Sequence, residues 1–332
     1  MSAKSKTSNG FFESYFSSFG FFFKNFLIFW PIAAIFLIPL GLIDYIIKLN
    51  FPIKFNPDFF LQVRTMDIKA ATEVSIITLL ENKASFLTIN IFYTILSFLV
   101  CCSLFYALLI AINHIYKKKN IEVFEIIKEF LKNKATYFKT ILYIFIYSIF
   151  LLFLGGIFMK ITSALLINDY NEYLTTYKDI TNQEIIEIFF DSAILLLISS
   201  LFSIIGFVIF LSRVHITTLA APHQIEKNFD ADQVIPQTQK IAKGKFLKIF
   251  GNIFFAGIFT SIIVFFISMI IFSLYLKFTN SDNNNLNQLF NNIQTQSVTF
   301  LYTFYPIIIK TFIFPIFTIF IYKLYLKVKQ EV

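Results

Sequence analysis

The sequence predicts an all-α integral membrane protein with six transmembrane helices, arranged as three hairpins that are each preceded by a basic amphipathic interfacial helix. Hydrophobic residues make up 57% of the 332 residues and charged residues only 14%, which is more apolar surface than a soluble domain can bury. Apolar stretches of about 20 residues, each long enough to cross a bilayer, recur along the chain. Basic residues cluster between alternate stretches, as expected when a chain crosses the membrane repeatedly.

The apolar stretches place the six spans. Sliding windows of about 19 residues put them near 25–47, 86–115, 138–160, 190–213, 248–277 and 299–326. We expect residues 1–332 to form a single polytopic membrane domain. The N-terminal stretch MSAKSKTSNG is polar, and no small-residue cleavage site follows an apolar segment of suitable length. The first span is therefore expected to remain in the mature chain.

The basic residues indicate the orientation of the spans. The positive-inside rule assigns the segments that carry most of the lysines to the cytoplasm, so both termini are expected there. The net charge of +8 is then a cytoplasmic collar that attracts anionic lipid headgroups, and no nucleic-acid partner is needed to explain it. A composition rich in Phe, Ile, Lys, Asn and Tyr favours a bacterial protein of the inner membrane. Nineteen of the 28 basic residues lie in the segments assigned to the cytoplasm: Lys4, Lys6, Lys24, Lys117, Lys118, Lys119, Lys128, Lys132, Lys134, Lys139, Arg213, Lys227, Lys240, Lys243, Lys245, Lys248, Lys323, Lys327 and Lys329.

A segment with amphipathic character precedes each span that starts in the cytoplasm. These segments are FFESYFSSFG (11–20), IEVFEIIKEFLKNKAT (121–136) and ADQVIPQTQKIAKG (231–244). Residues 1–24 are accordingly expected to form a cytoplasmic N-terminus with an interfacial helix. Such helices lie in the headgroup plane with their apolar face towards lipid. The three similar units indicate either an internal duplication or the shared demands of starting a span at a basic interface.

Two stretches resemble a known family. They are TTLAAPHQIEKNFDADQVIPQTQKIAKGKFLKIFGNIFFAGIF (217–259) and YFSSFGFFFKNFLIFWPI (15–32). Both are similar to the six-helix membrane domain found beside glycerophosphodiester phosphodiesterases and to its stand-alone bacterial inner-membrane relatives. The resemblance implies a role near lipid metabolism or envelope maintenance, with no catalytic residues to carry over. This sequence has no hydrophilic stretch long enough for the soluble phosphodiesterase barrel.

The sequence contains no motif of the common catalytic or metal sites. Cys101 and Cys102 are adjacent in an apolar run and lack the spaced partners of a disulfide framework or zinc site. Neither a G-x-S-x-G elbow nor a phosphate-binding glycine loop is present. We therefore expect no metal, no cofactor and no enzymatic activity. A membrane-embedded transferase or phosphatase would instead require a polar cluster of Arg213, His215 and His114 at the cytoplasmic face.

Lys310 is the one basic residue placed deep inside a predicted span, in YPIIIKTFIFPIF (305–317). A charge at the centre of a bilayer costs roughly 2.5–3.5 kcal/mol on insertion scales. One interpretation is that the side chain extends outward to the interface. The other is an outward-facing cavity in which Asp44 and Asp191 partner Lys310 and in which an anionic headgroup or small anion binds.

Prolines interrupt the first and last predicted spans at Pro31, Pro39, Pro306 and Pro315. Each proline removes a backbone donor, and a freed carbonyl in lipid needs another partner. Helix breaks at these positions are a feature of transporter sites, although simple kinks in packed helices explain them equally well.

Two functions follow as hypotheses. The first is a non-catalytic protein that binds or moves a lipid or small amphiphile in envelope homeostasis. The alternative is a non-catalytic scaffold or assembly factor that binds lipids or other membrane proteins.

Overall fold

The computed structural model describes residues 10–50, 90–119, 122–159, 182–278 and 296–331, and the regular elements of these residues are all helices. The predicted external connections lie mainly outside the described residues. A π-helical turn, Phe145–Ile149, follows α4, and residues 150–159 continue the same helix; the name α4 below includes this turn and its continuation. The helices are α1 Phe11–Lys24, α2 Phe26–Asn50, α3 Asn90–Tyr116, α4 Val123–Ile144, α5 Asn182–Lys227, α6 Ala231–Ala242, α7 Phe246–Phe278 and α8 Gln296–Gln330.

Six helical stretches in the described residues are long and apolar enough to cross a bilayer. This result confirms the all-α membrane fold that the composition predicts. The stretches overlap the six predicted spans, and they are Phe26–Ile47, Phe92–Tyr116, Val123–Met159, Leu197–Lys227, Phe246–Ile271 and Tyr305–Gln330.

The amphipathic segments form helices, but they join the spans in different ways. Asn25 alone separates α1 from α2, and α6 is a separate helix with its small and apolar side chains turned inward. The second segment instead belongs to α4, which runs without a break into the third span. The connecting residues NKATYFKT contain neither glycine nor proline, so nothing in the backbone ends the helix there.

The fourth span also differs from its prediction. The sequence predicts its end near residue 213, but α5 continues for fourteen more residues to Lys227. Asn228 follows α5, and its φ of 55° is the left-handed conformation that commonly follows a helix C-terminus. The extension brings the polar residues His223, Gln224 and Glu226 into the helix bundle instead of leaving them in a loop.

One end of the bundle gathers most of the basic segments, and we call it the basic end. The ends of α3, α5 and α8 meet there, together with the starts of α4 and α7 and the whole of α6. The N-terminal helix reaches the same end, because Lys323 of α8 donates to Ser17 Oγ of α1 at 2.7 Å. Both described ends of the chain therefore lie on the same side of the molecule.

Burial is concentrated at this basic end. Leu104 and all residues from Tyr106 to Ile112 in α3 are at most 2% exposed, so protein surrounds α3 on every side there. The most apolar window of the last span is 61% buried, whereas that of the Phe246–Ile271 span is only 6% buried. Helices α3 and α8 thus form the centre of the fold, and α7 lies at its edge.

Small residues allow α4 and α5 to approach closely. A Cβ atom at Gly155 would lie 2.7 Å from the backbone nitrogen of Ser203, and one at Gly206 would overlap the backbone of Leu152. Ser203 Oγ is turned back onto its own helix, donating to the carbonyl of Ser199 at 2.8 Å. Van der Waals packing at this close approach holds the two helices together, because burial of apolar surface does not drive helix association in lipid.

The adjacent glycines at 155 and 156 provide a test of this contact. A Cβ at Gly156 would meet nothing within 4 Å, unlike one at Gly155. Gly155→Leu should therefore destabilise the protein by about 1–3 kcal/mol, the usual cost of overpacking, whereas Gly156→Leu should leave stability nearly unchanged. Thermal unfolding of the two variants in the same detergent measures the difference. Equal midpoints for both variants would show that α4 and α5 do not pack as described.

Candidate functional site

Lys310 lies on α8 with its side chain exposed on the outside of the bundle. Tyr322 of α8 donates to Asn113 Oδ1 of α3 at 3.1 Å. Helices α3 and α8 both end at the basic end, so they run in the same direction. Cys101 precedes Asn113 by twelve residues, as Lys310 precedes Tyr322, so Lys310 lies at about the level of Cys101 in α3.

The structure does not pair Lys310 with Asp44, one of the two predicted carboxylates. Asp44 lies on α2 and is half-buried. None of the ion pairs among the described residues includes Lys310, and the side chain of Asp191 lies outside the described part. A ligand-binding role for the three residues stays a prediction.

The four prolines lie inside continuous helices. Helix α2 runs through Pro31 and Pro39, and α8 runs through Pro306 and Pro315. This continuity differs from the helix breaks that the sequence predicts. Each proline removes a single donor, and the close packing of α2 against α8 holds the flanking turns in helical geometry. Pro39 is exposed and Pro315 is buried, so the prolines share no common environment.

The π-helical turn is held by Arg213 of α5. The Arg213 guanidinium lies over the ring of Tyr147 at 4.2 Å and also donates to the Tyr147 carbonyl. A π turn leaves a carbonyl without its usual helical donor, and the guanidinium supplies one. Gln239 of α6 donates to the Tyr147 hydroxyl at 3.1 Å. Arg213 therefore holds the π-helical turn against α5, and Gln239 joins α6 to the same turn.

The two histidines that would form a polar cluster with Arg213 contact other residues instead. His114 Nε2 pairs with Glu129 Oε2 at 2.8 Å, and the His215 ring packs edge-on against Phe246 at 5.2 Å. The polar cluster that a transferase or phosphatase would require is thus not formed by these residues. In the described ranges, no group of three or more His, Cys, Asp and Glu side chains has the arrangement of a metal site.

A different polar cluster occupies the basic end, and we call it the α5 hub. It consists of four consecutive residues at the end of α5, His223, Gln224, Ile225 and Glu226. Each of them bonds to a different helix or pair of helices. His223 and Gln224 are 4% and 1% exposed, although both side chains are polar. Polar groups buried to this degree need hydrogen-bond partners.

Gln224 connects three helices. Its Oε1 accepts a hydrogen bond from Tyr106 of α3 at 2.9 Å, and its Nε2 donates to Thr140 of α4 at 2.8 Å. The second amide hydrogen has the carbonyl of Phe229 at 3.3 Å, just beyond the end of α5. The Tyr106 ring also stacks on Tyr137 of α4 at 4.6 Å, which fixes the direction of its hydroxyl.

Ile225 and Glu226 bind α3 and α8. Asn113 of α3 donates to the carbonyl of Ile225 at 3.3 Å. Glu226 accepts from the Tyr325 hydroxyl and pairs with Lys329, both on α8.

His223 completes the hub on the side of α6. The Thr238 hydroxyl donates to the carbonyl of Val234 at 2.7 Å, so its oxygen is free to accept from His223 Nδ1 at 3.3 Å. This arrangement puts the hydrogen of the imidazole on Nδ1. The His223 ring also packs edge-on against Phe229 at 4.9 Å.

Sequence reasoning missed the hub. The stretch AAPHQIEKN follows a long apolar run and ends in polar residues, which is also the pattern of a loop that begins at the membrane surface. The partners lie on four other helices, between 15 and 118 residues away along the chain, and no local pattern identifies them. A glutamine and a histidine directly after small apolar residues were the available signal.

Comparisons with protein-family models, with curated proteins and with solved structures found no match for this chain. The resemblance to the membrane domain found beside glycerophosphodiester phosphodiesterases therefore stays a prediction.

The hub makes a testable contribution to stability. Gln224→Leu leaves the buried hydroxyl of Tyr106 without its acceptor, a loss that costs about 1–3 kcal/mol. Thr140 loses the bond from Gln224 but keeps its own bond to the Thr136 carbonyl. We expect a clear loss of thermal stability in detergent. Gln233→Leu, at an exposed position of α6, is the control and should be nearly neutral.

A double-mutant cycle isolates the bond between Tyr106 and Gln224. Tyr106→Phe combined with Gln224→Leu should destabilise the protein by clearly less than the sum of the two single changes, because both changes remove the same bond. Strict additivity of the two changes would contradict this pairing.

Proposed function

We propose that the chain is a multi-pass protein of the bacterial cytoplasmic membrane that binds or moves a lipid or small amphiphile in envelope homeostasis, without catalysing a reaction. Both termini lie in the cytoplasm in this proposal, which makes the basic end the cytoplasmic end. The observation that carries it is Lys310, a charged side chain exposed on a surface that otherwise faces hydrocarbon.

The position of Lys310 makes this exposure costly. Lys310 precedes Lys323 by thirteen residues in a continuous helix, which places it roughly 20 Å along the axis from the basic end. That position lies inside the hydrocarbon core of the bilayer, which is about 30 Å thick. A lysine there is stabilised by snorkelling or by a bound anion, and a lipid phosphate supplies the anion without leaving the membrane.

Further support comes from the surfaces of α1 and α4 at the basic end. Phe12, Phe16 and Phe23 are 56%, 57% and 63% exposed and form one stripe along α1. On α4, exposed Phe124, Leu131 and Phe138 form a similar stripe beside exposed lysines. Apolar stripes flanked by cationic side chains are typical of helices that contact an anionic leaflet.

The outward surface of α6 is different. Its buried residues are small or apolar, and no large hydrophobic side chain of α6 is exposed. Lipid contact at the basic end is therefore assigned to α1 and α4, and α6 faces the cytoplasm.

A scaffold is the second candidate, and α7 is the observation that favours it. The Phe246–Ile271 span is 6% buried in its most apolar window and exposes Phe265, Phe266, Met269 and Ile270 along its outer half. A partner membrane protein that packs against α7 would cover these side chains. In that case Lys310 would have no role in binding, and its loss would leave function intact.

Lys310→Met separates the two candidates. The change removes the charge and keeps an unbranched side chain of similar length, so we expect normal folding and a loss of bound anionic lipid. Native mass spectrometry of protein extracted in mild detergent measures the retained lipid, and movement of a labelled lipid in reconstituted vesicles measures transport.

Lys240→Met is the matched control for this experiment. Lys240 is exposed on α6, which is assigned away from the lipid, so its replacement removes the same charge from a different place. Lipid retention and lipid movement should stay close to those of the unchanged protein. A Lys310→Met protein that retains and moves lipid as well as the control would exclude the lipid-binding proposal and favour the scaffold.

A further inference from the structure

The Arg213 guanidinium has more hydrogen-bond donors than its contacts in the described helices use. A guanidinium carries five N–H donors and no acceptor. Arg213 donates to the Tyr147 carbonyl and lies over the Tyr147 ring at 4.2 Å. None of the ion pairs among the described residues includes it, so no carboxylate there neutralises its charge. Its remaining N–H groups are available to an acceptor from outside these helices.

The Tyr147 hydroxyl supplies a second donor beside the guanidinium. Gln239 donates to the Tyr147 oxygen at 3.1 Å, so this bond uses the hydroxyl as an acceptor and leaves its hydrogen available. Because the guanidinium lies over the ring that carries this hydroxyl, both donors can reach one small anion. Donors and positive charge without an acceptor are what a phosphate group requires.

These donors lie where the protein surface changes from polar to apolar. On the side of the basic end lies α6, whose Gln239 is exposed and which exposes no large hydrophobic side chain. Farther from the basic end, Phe150 of α4 and Ile205 of α5 are 41% and 50% exposed. A phospholipid has the same order, with its phosphate at the membrane surface and its acyl chains towards the bilayer centre. The surface therefore fits a lipid of the leaflet on the side of the basic end.

Helices α4 and α5 touch each other just beyond the two donors. At Gly206, seven residues before Arg213, an added Cβ atom would overlap the backbone of Leu152. A headgroup at Arg213 therefore cannot pass between these helices towards the other leaflet. The acyl chains must lie on the outer surfaces of α4 and α5, so the donors form a fixed site and not a path.

We propose that Arg213 and Tyr147 bind the phosphate of an anionic phospholipid in the leaflet on the side of the basic end. A zwitterionic lipid carries its own cation beside the phosphate, so the unpaired guanidinium favours a lipid with net negative charge. The site lies between α4 and α5 and includes neither Lys310 nor α8. It therefore does not depend on the function proposed above.

A tryptophan placed beside the site measures which lipid is bound there. Trp30 is the only tryptophan of the chain, so Trp30→Phe with Phe150→Trp gives a full-length protein with one reporter. The protein is reconstituted in phosphatidylcholine vesicles with a minor fraction of phosphatidylglycerol, and one of the two lipids carries bromine, which quenches tryptophan fluorescence on contact. We expect phosphatidylglycerol to be enriched roughly fivefold over its bulk fraction, the effect of one interfacial cation. Phe266→Trp on α7, at a position 61% exposed, is the reference and should report the bulk composition.

Two further changes identify the binding residues. Tyr147→Phe removes only the hydroxyl and keeps the ring and the carbonyl that Arg213 contacts, so the enrichment should fall at least roughly twofold, as expected for one lost hydrogen bond. Arg213→Gln removes the charge and keeps an N–H donor for that carbonyl, so the enrichment should disappear. Tyr143→Phe, at an exposed tyrosine one turn before Tyr147, is the matched control and should leave the enrichment unchanged.

The outcomes that overturn this site differ from those that concern Lys310. Bulk composition at residue 150, or an enrichment that survives both Tyr147→Phe and Arg213→Gln, would show that Arg213 only holds the π-helical turn. An enrichment lost with Lys310→Met and not with Arg213→Gln would place the lipid at Lys310 and overturn the site. Loss of the enrichment in inorganic phosphate, but not in chloride of equal ionic strength, would assign the donors to a soluble anion. Thermal unfolding verifies that each variant folds, and Tyr147→Phe decides alone if Arg213→Gln does not fold.

Discussion

The rest of the structure depends on the rule that polar groups removed from water must find partners, and the α5 hub is where this rule acts most strongly. Apolar packing is non-directional, so a bundle of Phe- and Ile-rich helices has many arrangements of similar free energy. The hub removes this freedom, because four consecutive residues of α5 bond to α3, α4, α6 and α8. Sliding α5 by one turn would leave several buried donors and acceptors unpaired at once. The hub therefore sets the register of the basic end.

The burial of α3 and the number of polar contacts between helices decrease from the basic end outward. At the basic end α3 is enclosed by protein, and polar contacts join nearly every helix. Farther from the basic end α3 is only partly buried, and small residues such as Gly155 and Gly206 maintain the contact between α4 and α5. Lys310 and Cys101 lie at the boundary, since Cys101 is half-buried and Leu104 is fully buried. In the proposed function, a lipid approaches Lys310 in this partly buried half without disturbing the closed core.

The sequence predicts the coarse fold well because hydrophobicity acts locally. Each span is visible in its own residues, and α1 and α6 follow from amphipathic segments. The continuity of α4 and the extension of α5 were missed for a different reason. The charged residues 125–139 and the segment around Gln224 resemble interfacial or loop sequences, yet tertiary contacts stabilise both as helix. Lys310 was found because a charge in an apolar run is conspicuous. Its alignment with Cys101 was not, because that alignment depends on the register between α3 and α8.

The contrast between Lys310 and the hub also bears on function. Where this protein uses polar groups to hold itself together, it buries them and pairs them, as with Gln224 and with Glu226 beside Lys329. Lys310 is charged, exposed, and included in none of the ion pairs of the described residues. A charge that contributes nothing to packing and carries an insertion cost is a liability for a purely structural protein. The cost is offset when an anion from the surrounding lipid binds it, and this is the physical argument for lipid binding over a scaffold.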